Sequence, residues 1–182
     1  VVLTESGEPV EEVEVLLSGG EERVGLTNAQ GTYRFDRLAS GGTYTVRPGL
    51  NADHGNGIST FDLILVQKHI LGVDPLTSPY QLIAADVNNS GGISTLDLIQ
   101  LRRIILRETD SFLGNQSWRF VMSDYDFSDP LSPWKDAMPE NMEIRNLEGT
   151  RQLDFMAIKI GDVNGNATVN SSQPPPELRN DD

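Results

Sequence analysis

Hydrophobic and polar positions alternate along the first 49 residues. In "PVEEVEVLL", Val13, Val15 and Leu17 alternate with polar neighbours, and in "GGTYTVRPG" Tyr44 and Val46 share one face. A period of two residues is typical of a half-buried β-strand. Residues 1–49 therefore predict β structure, with further strands at "RVGLT" and "GTYRFDRL" separated by the turn "NAQG".

The following segment changes to a helical period and contains an internal repeat. "ISTFDLILVQKHIL" (58–71) and "ISTLDLIQLRRIIL" (93–106) are identical at 8 of 14 positions and are offset by 35 residues. Each copy predicts one helix, and Ser78 followed by Pro79 predicts the start of a short connecting helix. Gly72 is a plausible residue to end the first helix. We expect apolar residues at helical spacing to face inward: Phe61, Ile64, Leu65 and Leu71 in the first helix, and Leu98, Leu101 and Ile105 in the second.

Residues 110–170 show no regular period, and their prolines and scattered aromatic residues indicate irregular structure with short strands. One strand is predicted in "RQLDFMAIKIGDV", which ends in a turn. We expect this extension to pack on the repeats. Its own structure should be packed by the aromatic side chains Trp118, Phe120, Tyr125, Phe127, Trp134 and Phe155. Residues 171–182 are rich in proline and polar residues, which is typical of a linker.

Oxygen-bearing side chains precede the second repeat at regular intervals. "DVNNSGGISTLD" has the spacing of a twelve-residue EF-hand loop, which binds calcium from places one, three, five, seven, nine and twelve and turns at a glycine in place six. Gly91 occupies place six. The predicted ligands are Asp86, Asn88, Ser90, the Gly92 carbonyl, Ser94 and Asp97.

The first repeat is preceded by a less regular version of this loop, "NADHGNGISTFD". Asn51, Asp53, Ser59 and Asp62 occupy ligand places, but Gly55 at place five has no side chain. Asn56 could replace it, or the backbone could turn there while Gly57 supplies a carbonyl.

A third fragment, "DVNGNATVN", has Asp162, Asn164 and Asn166 at places one, three and five. No helix is predicted after it. It is either half a calcium loop, closing beside one of the others, or an Asx-rich turn that ends a strand.

The composition excludes several classes of function. The net charge of −13 disfavours nucleic acid and anionic membrane surfaces as partners. The absence of cysteine excludes disulfides and thiolate metal sites, and no apolar run reaches the length of a membrane-spanning helix. Asp124, Asp126 and Asp129 are the nearest approach to a catalytic carboxylate pair, but they lie in one short loop. We therefore predict no enzyme.

Residues 51–106 resemble a dockerin type I domain, because two calcium-type loops are each followed by a helix without the entering helix of an EF-hand. The resemblance implies calcium binding and, in many members, binding to a cohesin module that assembles extracellular enzyme complexes. It places partner recognition at places ten and eleven of each loop, which here are Thr60, Phe61, Thr95 and Leu96.

Two further resemblances concern the flanking segments. "SGEPVEEVEVLL", "TNAQGTYRFDRL" and "GGTYTVRP" resemble the small β-sandwich of the carboxypeptidase-regulatory or collagen-adhesin B-repeat type. "WRFV" and "KIGDVNGNA" in residues 110–168 resemble a segment that follows dockerin-like repeats in large surface proteins of Bacteroidetes-type bacteria. Both imply structural roles.

These observations predict an α+β chain of several modules: a β-sandwich (1–49), dockerin-like calcium-binding repeats (50–109), an irregular extension (110–170) and a tail (171–182). The predicted function is a calcium-stabilised, non-catalytic structural or adhesive module of an extracellular or cell-surface protein or filament. Neighbouring domains of a longer chain, or like subunits, would be its partners. The alternative is a true dockerin that anchors an exported enzyme to a cohesin. The join "TVRPGLNADHGNG" leaves no flexible linker before the first loop, which favours the first function.

Overall fold

The computed structural model describes residues 1–169, so the predicted tail lies outside the described residues. The helices are α1 (Thr60–Ile70), α2 (Pro79–Ala85) and α3 (Thr95–Ile105). The strands are β1 (Val2–Leu3), β2 (Glu14–Ser18), β3 (Arg23–Leu26), β4 (Tyr44–Gly49), β5 (Trp118–Met122), β6 (Met142–Ile144) and β7 (Phe155–Lys159). Residues 1–169 therefore form a mixed fold, in agreement with the predicted α+β class.

The strands form two sheets, and each sheet combines distant parts of the chain. The inner sheet has the order β1-β7-β5, and the outer sheet has the order β3-β2-β4-β6. Strand β1 lies parallel to β7, with Val2 opposite Phe155. Strand β6 lies antiparallel to β4, with Val46 opposite Met142. Backbone pairing thus joins residues 1–49 to residues 110–170, which the sequence predicted to be separate modules.

One hydrophobic core lies between the two sheets. The outer sheet contributes the alternating positions that the sequence predicted to be buried, and the inner sheet contributes the side chains of the facing surface. Because side chains of a strand alternate between its faces, this core uses every second residue. Its buried members include Val13, Val15, Leu17, Tyr44, Val46, Val2, Trp118, Phe120, Phe155 and Ala157.

The helices cover the opposite face of the inner sheet. Val121 and Ile158, which point away from the outer sheet, pack in a second core with Val66, Leu82 and Leu101 of the three helices. The inner sheet is therefore the middle of three layers, and it connects the helical repeats to the outer sheet. In residues 1–169 no helix is long and apolar enough to span a lipid bilayer.

Local signals start and end the helices where the sequence predicted. Ser59 and Ser94 cap α1 and α3 in capping boxes, and Ser78 caps α2 with Pro79 in its first turn. Gly72, with a φ of 66°, follows the C-terminus of α1. Side chains that satisfy the first backbone N–H groups stabilise a helix by about 1 kcal/mol.

The predicted strand "GTYRFDRL" is wrong, because no strand forms between β3 and β4. Tyr33 and Phe35 pack against the core between the sheets, and the Tyr33 hydroxyl donates to the Leu153 carbonyl at 2.8 Å. The alternation of apolar and polar residues in this segment therefore reflects side-chain burial, and the segment does not form a strand.

The predicted inward face of α1 is also wrong for three residues. Phe61, Ile64 and Leu71 are 54%, 45% and 66% exposed, whereas Asp62 and Val66 are fully buried. The capping box directs Asp62 inward, and the residues at helical spacing from it then form the buried face.

Candidate metal centre

Asp86 organises the second predicted loop from its first place. Its carboxylate accepts hydrogen bonds from the backbone N–H groups of Ser90 at 2.9 Å, Gly91 at 2.8 Å and Gly92 at 3.3 Å. The side-chain oxygen of Asn88 accepts a second hydrogen bond from the Ser90 N–H at 3.0 Å. The loop therefore winds around the Asp86 carboxylate, with places three and five on the same side.

Asp97 closes the second loop from the first turn of α3. Its Oδ2 accepts from the backbone N–H and the hydroxyl of Ser94, at 2.8 and 3.1 Å, and its Oδ1 accepts from the Asn88 N–H at 3.2 Å. Burial raises the pKa of Asp97, its hydrogen bonds oppose the shift, and the nearby Asp86 carboxylate raises the pKa further. Places one and twelve thus face each other across the loop, as one cation site requires.

The third fragment winds around Asp162 in the same way. The Asp162 carboxylate accepts from the backbone N–H groups of Gly165 at 2.9 Å, Asn166 at 3.1 Å and Ala167 at 2.8 Å. The side-chain oxygen of Asn164 accepts from the Asn166 N–H at 3.1 Å. Places one, three and five are therefore arranged as they are in the second loop.

Asp62, at place twelve of the first loop, contacts this third fragment. Its Oδ1 accepts from the N–H groups of Val163 at 2.9 Å and Asn164 at 3.1 Å. Its Oδ2 accepts from the backbone N–H and the hydroxyl of Ser59, at 2.8 and 2.9 Å. Burial raises the pKa of Asp162, its backbone hydrogen bonds lower it, and the Asp62 carboxylate raises it. The structure thus brings places nine and twelve of the first loop to the third fragment.

Asn51 and Asp53, the first two predicted ligands of the first loop, have other surroundings. The side-chain oxygen of Asn51 accepts from the Ser117 N–H at 2.9 Å. Asp53 is exposed, has a φ of 44°, and interacts electrostatically with Lys159 and His54. Asn51 is thus tied to the residue before β5 of the inner sheet, and Asp53 interacts with the Lys159 ammonium.

Lys159 carries no sequence signal, because a lysine near the end of a strand is ordinarily exposed. It is only 5% exposed, and its ammonium donates to the His54 carbonyl at 3.0 Å. Burial lowers the pKa of Lys159 to about 8, although the Asp162 and Asp53 carboxylates oppose this shift. The buried ammonium group of Lys159 therefore lies beside the backbone of His54, the residue after Asp53.

Asn56 and Gly57 join the first loop to the third fragment. The Asn56 amide accepts from the Thr168 N–H at 3.0 Å and donates to the Thr168 carbonyl at 2.8 Å. Gly57 has a φ of 76°, and a Cβ there would lie 2.7 Å from Ala167. The two backbone segments thus pass side by side with no room for a side chain.

Replacing Gly57 by alanine is therefore expected to destabilise the protein by at least about 2 kcal/mol, through a left-handed φ and a clash with the Ala167 backbone. Gly55→Ala is the matched control two residues away, where a Cβ would meet its nearest neighbours only at 3.9 Å. Urea denaturation measures both. Equal effects of the two substitutions would contradict the close approach.

Four buried carboxylates lie in this region, and one of them, Asp162, interacts electrostatically with Lys159. Asp62 and Asp97 are 0% exposed, Asp86 4% and Asp162 6%. None of them takes part in an ion pair within 4.0 Å in residues 1–169. Buried charge requires compensation, and two facing carboxylates repel each other. Each arrangement therefore suits a cation between its two carboxylates.

The donor chemistry of both arrangements fits calcium, a hard cation that prefers oxygen ligands. Within the described residues, no group of three or more His, Cys, Asp or Glu side chains converges. Each arrangement instead combines two carboxylates with neutral amide and hydroxyl oxygens. A search for clustered acidic side chains alone would therefore not find these sites.

The predicted partner-binding residues lie on the exposed first turns of α1 and α3. Thr60 and Thr95 are exposed, Phe61 is 54% exposed and Leu96 is 60% exposed. Ile64 and Ile99 add exposed apolar side chains one turn later in the two helices.

The comparisons with known proteins concern the repeated segment. Residues 52–106 match the sequence model of the dockerin type I domain. No curated protein and no solved structure matches the chain. The matched region contains α1, α2, α3 and the second loop, covers less than half of the chain, and leaves out the third fragment. The predicted resemblance of the repeats is confirmed, whereas that of residues 1–49 to a particular β-sandwich family stays a prediction. The loop–helix repeats of residues 52–106 are thus similar to the dockerin type I domain, a calcium-binding module.

Proposed function

We propose that this chain is a calcium-stabilised, non-catalytic structural or adhesive module of an extracellular or cell-surface multidomain protein or filament. The observation that carries the proposal is the pair Asp86 and Asp97, which are both buried in one loop, repel each other electrostatically and form no ion pair within 4.0 Å in the described residues. The match of residues 52–106 to a calcium-binding family supports it.

In the second loop, calcium would be held by the six predicted ligands: Asp86, Asn88, Ser90, the Gly92 carbonyl, Ser94 and Asp97. The ion would supply positive charge where the protein places two carboxylates. Asp86 ends α2 and Asp97 lies in the first turn of α3, so a shared ion would hold the two helix ends together. The chain itself orients these groups through the hydrogen bonds to Ser90, Gly91 and Ser94.

The small number of charges favours an extracellular site. Two carboxylates with neutral ligands belong to the weaker part of the EF-hand range, with dissociation constants on the order of 10⁻⁵ to 10⁻³ M. Extracellular calcium would fill such sites, whereas cytosolic calcium would leave them largely empty. A constantly filled site stabilises a fold and does not signal.

A calcium titration tests the proposal. Calorimetry of the demetallated protein should give two bound ions per chain, and Asp86→Ala should give one. Asp126→Ala, which removes an exposed carboxylate outside the loops, should still give two. The absence of calcium binding in the wild-type protein would refute the proposed function.

A second candidate function is a dockerin that anchors an exported enzyme to a cohesin. The exposed apolar residues Phe61 and Leu96 on neighbouring helices favour it, since exposed apolar patches often mark protein interfaces. The packing of the helices on the inner sheet favours the structural module instead, because Val66, Leu82 and Leu101 share one core with Val121 and Ile158 and so tie the repeats to the rest of the described chain.

A binding assay with immobilised cohesin modules distinguishes the two functions. A true dockerin should be retained with calcium, released by chelator, and lost in the double variant Phe61→Ala/Leu96→Ala. Thr45→Ala, in the outer sheet, is the control. No retention by a representative set of cohesins is the result expected of the structural module.

A further inference from the structure

We propose that the first calcium ion is held by a composite loop, whose first half is the third fragment and whose second half belongs to the first repeat. Its side-chain ligands are Asp162, Asn164 and Asn166 at places one, three and five, and Ser59 and Asp62 at places nine and twelve. This inference rests on the proposed function, because it assigns the ligands of one of the two calcium ions that the proposed function requires.

The first half of the composite loop shares three contacts with the second loop. The place-one carboxylate accepts from place five at 3.1 Å in Asp162 and 2.9 Å in Asp86, and from place six at 2.8 Å in both. The place-three amide oxygen accepts from place five at 3.1 Å in Asn164 and 3.0 Å in Asn88. Because these shared contacts have similar lengths, the third fragment and the second loop hold their side-chain oxygens in similar positions.

The second half matches equally well, although the chain is interrupted. The place-twelve carboxylate accepts from the place-three N–H at 3.1 Å in Asp62 and 3.2 Å in Asp97. It accepts from the place-nine N–H at 2.8 Å in both loops. In the second loop these contacts join residues 9 positions apart, whereas Asp62 and Asn164 are 102 positions apart. The geometry of the loop is therefore preserved without its continuity.

The contiguous first loop lacks these relations. Asn51 is hydrogen-bonded to Ser117, and the Asn56 amide is engaged on both sides by the Thr168 backbone. Lys159 interacts electrostatically with both Asp162 and Asp53, and Asp162 also interacts with the Asp62 carboxylate. Asp53 is exposed whereas Asp62 and Asp162 are buried, so the buried pair of carboxylates is Asp62 with Asp162.

A composite site gives the ion a different mechanical role from a local loop. Asp162 lies three residues after the end of β7 of the inner sheet, and Asp62 lies in the first turn of α1. Gly161, between β7 and Asp162, has a φ of 87°, and a Cβ there would lie 2.5 Å from Ile58. The ion would therefore clamp the end of the inner sheet to the helical layer.

The test uses the full chain in an Asp86→Ala background, which leaves only the first site. This background should bind one calcium ion by calorimetry. Adding Asp162→Ala should abolish binding, whereas adding Asp53→Ala should leave one ion bound. A milder variant guards against misfolding: Asn166→Ala removes an exposed side chain and should raise the dissociation constant of the remaining site.

The outcomes separate this inference from the proposed function. If adding Asp53→Ala abolishes binding, the contiguous loop holds the ion and the composite loop is overturned. This conclusion holds whether or not Asp162→Ala abolishes binding as well. If neither variant changes binding, or if Asp86→Ala binds no ion while the wild-type protein binds one, the composite loop is overturned but the proposed function stands. A wild-type protein that binds no calcium refutes both.

Discussion

Removing calcium with a chelator is expected to lower the free energy of unfolding by about 5 kcal/mol when free calcium is about 100 times the dissociation constant, because each of two sites then adds about 2.7 kcal/mol. This loss is comparable with the entire stability of many small domains, 5–15 kcal/mol. The physical reason is that the pairs Asp86 with Asp97 and Asp62 with Asp162 are buried and form no ion pair within 4.0 Å in the described residues. Thermal and urea unfolding, with calcium and with chelator, measure the effect.

The Asp86→Asn variant sharpens this experiment. It keeps the size of the side chain and removes one charge, so the calcium-dependent part of the stability should fall by about half, while Asp126→Ala should leave it unchanged. An unfolding curve that does not respond to chelator would show that "DVNNSGGISTLD" is only a polar loop before a helix.

Phe155→Ala is expected to destabilise the whole described fold by about 3–5 kcal/mol, the usual effect of truncating a buried aromatic side chain. Phe155 is 1% exposed and lies opposite Val2 in the middle layer. Because the inner sheet packs on both the outer sheet and the helices, loss of the Phe155 side chain should weaken all three layers together.

Two probes test this coupling. In a Trp134→Phe background, far-UV circular dichroism follows the helices and tryptophan fluorescence follows Trp118 of the inner sheet. The two unfolding transitions should coincide before and after the substitution. Leu131→Ala, at a side chain that is 63% exposed, should change stability by less than about 0.5 kcal/mol. Helical signal that persists after the fluorescence transition would indicate independent modules.

The helices could be predicted because their signals are local. Ser59, Ser78 and Ser94 satisfy N–H groups two or three residues away, and Gly72 accommodates a left-handed turn. The rotation of α1 was harder to predict, because a polar residue, Asp62, occupies its buried face. Hydrophobic pattern alone assigns such a carboxylate to the surface.

The sheets show the opposite case. The alternation of Val13, Val15 and Leu17 predicted a strand with one buried face, and this is confirmed. The same pattern could not reveal which strand lies beside it, because alternation records burial and not the identity of the partner. The pairing of β1 with β7 and of β4 with β6 follows from how three layers share the apolar surface.

The sequence by itself determined the oxygen-rich loops, the helices that follow them and the lack of cysteine-based sites, because each depends on residues a few positions apart. Only the tertiary structure decided that Asp62 faces Asp162 and that Asn51 and Asp53 lie elsewhere. The reason is physical: a buried carboxylate takes its hydrogen bonds from whichever backbone the fold brings within about 3 Å, whatever its distance along the chain. For Asp62 the fold brings Val163 and Asn164, at the far end of the described chain.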